Sequence, residues 1–168
     1  MSISRFPAHL RLIGAPSFES SAPAKAVAPD VELDPVTGVA TRNALLDRLE
    51  DMGRLAPTAP LSFVVVKVAG LKVAEGEATL RAVAARVQEL TRATDIVGRL
   101  TGTTFGVALQ GTGVTAAGAV AARLTHHLNR IAELHPAVCI TVSAATGVGL
   151  NAETLPVAAM DSYEPCCG

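Results

Sequence analysis

The stretch Arg92–Phe105, RATDIVGRLTGTTF, decides how the rest of the chain is interpreted. It comes at the end of a run whose apolar residues have helical spacing. Two short segments, Asp95–Leu100 and Thr104–Leu109, then flank the turn Thr101–Thr104. Short apolar segments on both sides of a glycine-containing turn are typical of a β-hairpin. The sequence therefore predicts a helix that leads directly into a hairpin.

Patterns of the same two kinds continue on both sides of the hairpin. Apolar residues three and four positions apart predict helices over about 41–53, 75–94 and 115–134. The run LSFVVVKVA at 61–69 is apolar on both faces, as in a central strand, and VCITVSAATGV at 138–148 predicts another buried strand. The segment that follows predicts a short helix.

The first of these helices carries a signal at each end. Thr41 is a typical N-cap residue, because its hydroxyl can accept a hydrogen bond from the first turn of a helix. Gly53 is a typical C-terminal stop. We therefore expect Arg54 to lie just after the helix.

The order of these elements predicts the fold class. A β-α-β-β-α-β series is typical of an α+β fold with a ferredoxin-like core, in which helices flank a mainly antiparallel central sheet. Residues 1–29 are rich in Ser, Ala and Pro and show neither helical nor strand periodicity. We expect a flexible leader over 1–29 and one domain over 30–168. The alternative is that the leader docks on the domain as a short helix.

Composition and charge exclude several classes of partner. The 168 residues are 49% hydrophobic, which is enough for one sizeable core, and the formal net charge is -1. Non-specific binding of nucleic acid or of an anionic membrane needs an excess of Lys and Arg. No apolar run reaches the roughly 18 residues of a membrane span. Cys139 falls in an apolar run, which favours a buried free thiol. We expect a cytoplasmic protein.

Three separated pieces of the chain resemble the GGDEF (diguanylate cyclase) family, in the order in which the family has them. The piece at 34–39, DPVTGV, is similar to the opening turn D-x-L-T-G-L. Arg92 and Asp95 match the R-x-x-D motif that lies five residues ahead of G-G-D/E-E-F. The piece at 141–143, TVS, resembles the strand T-V-S-x-G. The resemblance covers about residues 34–163 and implies the α+β fold described above.

The resemblance also shows what the chain lacks for the family's reaction, which joins two GTP molecules. That reaction needs divalent cations, and these hard cations prefer carboxylate ligands. The positions of the family's metal ligands correspond here to Lys67 and Thr103, and Ala69 is the second residue of the family's D-x-D motif. A lysine and a threonine provide no carboxylate. We therefore expect no bound metal and no enzymatic activity.

Substrate recognition is reduced as well. The family's guanine-reading segment is about seven residues shorter here. Its asparagine has no counterpart, and Glu77 stands near the place of its aspartate. The family's γ-phosphate-binding lysine is missing after Tyr163, where Glu164 and Pro165 follow. The predicted degenerate active site comprises Lys67, Ala69, Glu77, Thr101, Gly102, Thr103 and Thr104.

The family's inhibitory site is more completely matched. It uses the R-x-x-D pair and an arginine on the following helix, which corresponds to Arg123. Arginine presents a planar fork that fits the O6/N7 edge of guanine or a phosphate. An ionised Asp95 can accept the N1–H and N2–H of guanine. The resemblance therefore implies that cyclic di-GMP binds Arg92, Asp95 and Arg123. Arg54 corresponds to an arginine that the family supplies from a second domain.

Other interpretations of single residues stay open. Arg92 and Asp95 near a helix end also fit a surface ion pair, worth about 0–1 kcal/mol. Lys67 could hold a nucleotide phosphate without turnover. We expect His126 and His127 to be solvated.

Three functions follow from these patterns. The preferred one is a catalytically inactive receptor that binds cyclic di-GMP and signals by dimerisation or through a signalling protein partner. The second is a docking or dimerisation scaffold with no nucleotide role. The third is a GTP-binding regulatory domain.

Overall fold

The computed structural model describes residues 30–162. The predictions for the leader at 1–29 and for the tail from Tyr163 lie outside the described residues. Within 30–162, helices and strands follow one another in the predicted order. The described elements are α1 (Arg42–Leu55), β1 (Pro60–Ala69), α2 (Gly76–Glu89), β2 (Ile96–Thr101), β3 (Thr104–Gln110), α3 (Val114–Leu134), β4 (Cys139–Val148), a 3₁₀ helix (Gly149–Thr154) and α4 (Leu155–Asp161).

The four strands form one antiparallel sheet in the order β2-β3-β1-β4. β1 is hydrogen-bonded on both sides, as its uninterrupted apolar run predicts. The predicted β2–β3 hairpin is present, and Thr101 pairs with Thr104 at its turn. The fold class is confirmed: the domain is α+β with a β-α-β-β-α-β core.

The two faces of the sheet carry separate layers. Phe63 is fully buried on the face that α1, the 3₁₀ helix and α4 cover. Phe105 is fully buried on the opposite face, under α2 and α3. Burying such a side chain contributes about 1.5–3 kcal/mol, so the core on each face holds its helices in place. The loop that follows α2 therefore belongs to the α2/α3 side of the molecule.

The start of α1 is confirmed, but its predicted end is wrong. The Thr41 hydroxyl accepts a hydrogen bond from the Ala44 N–H, at 3.4 Å. The helix does not stop at Gly53 and continues to Leu55. A Cβ atom on Gly53 would lie 2.4 Å from the Gly149 carbonyl oxygen. The glycine is therefore explained by the close approach of α1 to the 3₁₀ helix.

The second helix is shorter than predicted. α2 ends at Glu89, whereas its periodicity predicted a helix to about residue 94. The Asp95 side chain accepts a hydrogen bond from the Arg92 N–H, at 2.8 Å. A short aspartate side chain that bonds the nearby main chain in this way favours a turn over a helix. Arg92 and Asp95 consequently lie in the loop between α2 and β2.

The last strand differs from the prediction in two respects. β4 lies at the edge of the sheet, and most of its residues are half-buried rather than buried. Cys139 is disulfide-bonded, so the prediction of a free thiol is wrong.

The helices of the described part are too short or too polar to cross a lipid bilayer.

Candidate functional site

The positions predicted as a degenerate active site lie at one end of the sheet, which we call the hairpin end. In the strand register, Lys67 of β1 stands opposite Thr104 of β3 and Thr141 of β4. The Val68 N–H donates to the Thr103 carbonyl oxygen, at 2.9 Å, and fixes the hairpin turn against β1. The fold therefore brings Lys67 and the turn residues together, as predicted.

The side chains at the hairpin end offer little to a divalent cation. Thr103 and Thr104 have neutral hydroxyls, and Lys67 carries a positive charge. Glu77 lies in the first turn of α2, where its carboxylate pairs with Arg81 at 3.0 Å. Within residues 30–162, no three His, Cys, Asp or Glu side chains group closely enough to hold a metal ion.

An ion pair between Asp34 and Arg99 ties the opening turn of the domain to the hairpin. Arg99 Nη1 lies 3.0 Å from Asp34 Oδ2, and each side chain is only 17% exposed. A second nitrogen of Arg99 donates to the Gly102 carbonyl oxygen, at 2.7 Å. Thr37 donates from its main chain and its hydroxyl to Asp34 Oδ2, at 2.8 and 2.6 Å. Arg99 is therefore a structural residue of the hairpin.

These contacts set the pKa of the Asp34 carboxyl below its ordinary value. Partial burial of the carboxyl raises its pKa. The hydrogen bonds from Thr37 and the hydrogen bond and charge of Arg99 lower it by more. Asp34 is therefore ionised at neutral pH and stabilises the hairpin in that form.

A cavity of about 420 Å³, which we call the arginine cavity, lies at the opposite end of the sheet. It opens between the C-terminal end of α2 and the first turns of α3. Arg92 and Arg123 both line it, as the sequence predicted. The remaining lining residues are Glu89, Leu90, Thr91, Ala116, Ala119 and Val120.

Arg92 and Asp95 are joined through the main chain. The Arg92 N–H donates to Asp95 Oδ2, and the Asp95 N–H donates to the Arg92 carbonyl oxygen at 3.1 Å. The Arg92 guanidinium forms no ion pair with any carboxylate of the described residues. The alternative of a surface ion pair between Arg92 and Asp95 is therefore wrong.

The Asp95 carboxylate is turned inward. The residue is 7% exposed, and its Oδ1 atom is buried with no hydrogen-bond partner in the described part of the chain. A buried acceptor without a donor is costly and uncommon in folded proteins. Asp95 thus holds a buried acceptor in the loop that carries Arg92, but unlike Arg92 and Arg123 it is not among the residues that line the arginine cavity.

Arg123 has no acidic partner among residues 30–162 either. Its Nη2 donates to the Leu90 carbonyl oxygen, at 2.6 Å, at the C-terminal end of α2. The acid in the lining, Glu89, is held by Arg86 at 2.9 Å. Since no carboxylate of the described part of the chain pairs with Arg92 or Arg123, the positive charge of the arginine cavity favours an anionic ligand.

Arg54 does not line the arginine cavity of its own chain. It lies in the last turn of α1, not after the helix, and pairs with Asp51. The cavity that it lines is a separate one of about 330 Å³, with Pro57 and Glu153, on the α1 side of the sheet. A contact of Arg54 with ligand held by another copy of the chain stays a prediction.

The histidines predicted to be solvated differ in exposure: His126 is exposed, but His127 is not fully so. His127 follows Arg123 by one helical turn on α3 and is half-buried. Its ring packs edge-to-face on that of His126, with 5.3 Å between ring centroids. The spacing of Arg123, His127 and Arg130 could have indicated a shared face, since residues four and three positions apart are neighbours on a helix.

The family model of the diguanylate cyclase GGDEF domain matches residues 31–158. The chain belongs to the GGDEF family. The match spans the opening turn, the hairpin and the arginine cavity, so both ends of the sheet lie inside the GGDEF domain. A search of curated proteins found no match.

Solved GGDEF structures share the fold of this domain. The FimX GGDEF domain from Pseudomonas aeruginosa is 17% identical, with a TM-score of 0.65 over 77% of this chain and 90% of that one. The diguanylate cyclase SiaD, solved with its activator SiaC from the same organism, is 19% identical, with a TM-score of 0.62 over 77% and 57%. The DgcB GGDEF domain from Caulobacter crescentus, solved with c-di-GMP, is 18% identical, with a TM-score of 0.58 over 81% and 85%. At these identities the similarity is one of fold.

Proposed function

We propose that this GGDEF domain is a non-catalytic receptor for cyclic di-GMP. The proposal rests chiefly on one observation. Arg92 from the α2–β2 loop and Arg123 from α3 line the same cavity, and neither is paired with a carboxylate of residues 30–162. Two such arginines suit a ligand with two phosphates and two guanines.

Each recognition group has a matching chemistry. Arginine binds a phosphate or the O6/N7 edge of guanine with two parallel hydrogen bonds. The unpartnered Oδ1 of Asp95 is an acceptor for the N–H donors of the guanine Watson–Crick edge. Because that oxygen is buried, a guanine reaches it only when the loop at 91–95 shifts outward. Cyclic di-GMP provides both kinds of partner.

The proposed loss of turnover is supported at the hairpin end. Lys67 and Thr103 stand at the positions where the resemblance places the metal-binding carboxylates, and a hydrogen bond from the Val68 N–H to the Thr103 carbonyl oxygen holds the turn against β1. A lysine repels divalent cations, and threonine hydroxyls bind them weakly. We therefore propose that GTP is not converted to cyclic di-GMP.

The ligand acts by changing dimerisation or the contacts with a signalling protein. Arg54 lines a cavity separate from the arginine cavity of its own chain. In a dimer, it is therefore a candidate contact for ligand bound to the other chain. Light scattering with and without cyclic di-GMP measures this change directly. An unchanged mass at ligand saturation excludes the dimerisation route and leaves the partner route.

Isothermal titration with cyclic di-GMP tests the proposed function. We expect micromolar or tighter binding by the wild type, and at least about tenfold weaker binding by Arg92→Ala and by Arg123→Ala, since hydrogen bonds to charged groups are lost. Arg48→Ala is the matched control, because Arg48 is exposed on α1, on the other side of the sheet. Absence of heat from folded wild-type protein contradicts the proposal and favours the scaffold.

Titration with GTP addresses the third function. A receptor specific for cyclic di-GMP is stabilised by that ligand, because a ligand that binds only the native state raises the melting temperature. We expect GTP to leave the melting temperature unchanged. A shift with GTP alone indicates a GTP-binding regulatory domain instead.

A further inference from the structure

A row of basic side chains continues from the arginine cavity along α3. Arg123, His127 and Arg130 are spaced by four and three residues, so they share one face of the helix. Arg123 and Arg130 are exposed, and His127 is half-buried. The row therefore extends the positive surface of the cavity by about two helical turns.

The neighbouring helix adds a further cation to this row. The Arg123 guanidinium contacts the C-terminal end of α2 at Leu90, and Arg86 lies one turn before that point. Arg86 pairs with Glu89, the acid on this part of α2. Along the row, the charges of Arg123 and Arg130 have no ion-pair partner in the described residues.

The charged groups around His127 determine the protonation state of its ring when no ligand is bound. Its pKa lies below the ordinary value of 6.5. Partial burial lowers it first, and the positive charges of His126, Arg86, Arg130 and Arg123 lower it further. His127 is therefore neutral at physiological pH, although it lies among four basic side chains.

We propose that His127 is an additional binding residue of the cyclic di-GMP site, and that its ring takes up a proton and donates an N–H to a ligand phosphate. This inference rests on the proposed function. The geometry that supports it is the shared helix face of Arg123 and His127 and the uncompensated charge of the row. A phosphate held by Arg123 lies within about one helical turn of the imidazole ring.

Proton uptake gives the site a pH dependence with a defined sign. A bound dianion stabilises the imidazolium and raises the pKa of His127, so the complex holds more protons than the free protein. Affinity therefore increases as the pH falls through the pKa that His127 has in the complex, and it is lowest at alkaline pH. At a separation of about 6 Å, one charge pair in a watery surrounding changes affinity about threefold.

Titrations at about pH 5.5 and about pH 8 test the inference. We expect wild-type protein to bind cyclic di-GMP about threefold more tightly at the lower pH. Proton uptake should also make the measured binding enthalpy differ between two buffers that have different enthalpies of ionisation. His127→Gln should bind equally at both pH values, and His127→Arg should bind at least as tightly as the protonated wild type at both. His126→Gln is the matched control and should keep the pH dependence.

The outcomes separate this inference from the proposed function. Binding that Arg92→Ala weakens, but that is equal at both pH values in the wild type, overturns the role of His127 and leaves the receptor intact. A pH dependence that persists in His127→Gln also overturns it. Absence of binding at both pH values overturns the proposed function together with this inference.

Discussion

The two ends of β2 have different chemistry although one strand connects them. The hairpin end presents Lys67 and a threonine-rich turn, and the arginine cavity presents Arg92 and Arg123. Six residues of strand separate them by about 20 Å. Because the core on each face of the sheet holds both ends in place, we expect substitutions at one end to leave the geometry of the other unchanged.

The contacts at the two ends of the sheet also differ in kind. At the hairpin end, Arg99 and Asp34 hold the turn in position although the turn lacks metal-binding carboxylates. At the arginine cavity, Arg92 and Arg123 form no ion pair with a carboxylate of residues 30–162. The hairpin end is therefore expected to matter for stability, and the arginine cavity for binding.

The largest predicted effect on stability comes from Gly70→Ala, at the end of β1. Gly70 has a φ of 75°. A Cβ atom there would lie 1.7 Å from the Ala137 carbonyl oxygen. We expect the free energy of unfolding to fall by about 3 kcal/mol, as measured by urea denaturation.

Gly102→Ala, in the hairpin turn, is the matched control for this glycine. Nothing lies within 4 Å of the added Cβ, and Gly102 is not among the glycines with positive φ. We expect a change within about 0.5 kcal/mol. Equal effects of the two substitutions would contradict the proposed difference between the strand end and the turn.

Arg99→Ala is predicted to have the second-largest effect. It removes the partner of Asp34 and the bond to the Gly102 carbonyl oxygen. We expect a loss of about 2 kcal/mol, less than for a fully buried pair because both side chains are 17% exposed. The exposed Arg48→Ala should change stability by less than about 0.5 kcal/mol. A neutral Arg99→Ala would show that the pair does not hold the hairpin.

A smaller effect on the free energy of unfolding is predicted at acid pH, where Asp34 becomes protonated. The folded pKa of Asp34 lies below its unfolded value of about 3.8. Its contribution to stability is therefore present above that unfolded pKa and disappears as the pH falls through the folded pKa. The difference in free energy of unfolding between wild type and Asp34→Asn should shrink from pH 7 towards about pH 3. A difference that stays constant over this range would contradict the assignment.

The smallest predicted effect concerns catalytic activity after carboxylates are introduced at the hairpin end. We expect the double variant Lys67→Asp/Thr103→Asp to form no detectable cyclic di-GMP from GTP and Mg²⁺. Both carboxylates are then present, but the guanine-reading segment is still about seven residues short. Product analysis by chromatography gives the result. Formation of cyclic di-GMP would show that these two positions alone separate this domain from an active enzyme.

Much of the fold could be predicted from the sequence, because it follows from local periodicity. The Val-rich run of β1 and the hairpin after Arg92 are patterns of neighbouring residues. The errors arose where tertiary contacts decide the outcome. Gly53 marks a close crossing of α1 with the 3₁₀ helix, and α2 ends early because Asp95 bonds the Arg92 main chain.

The site was predictable only in part. The meeting of Arg92 with Arg123 was inferred from the family resemblance, since no local pattern joins residues so far apart. The inward turn of Asp95 and the bond from Arg123 to the Leu90 carbonyl oxygen depend on how α2 and α3 pack. The environment of His127 could not be predicted for the same reason, because it includes Arg86 on the other helix.

Titration of the wild type and of the double variant Arg92→Ala/Arg123→Ala with cyclic di-GMP tests the central claim most directly. The claim is that the arginine cavity binds this ligand. We predict micromolar or tighter binding by the wild type and no measurable binding by the folded double variant. Equal affinities for the two proteins, or no heat from the wild type, would contradict the claim.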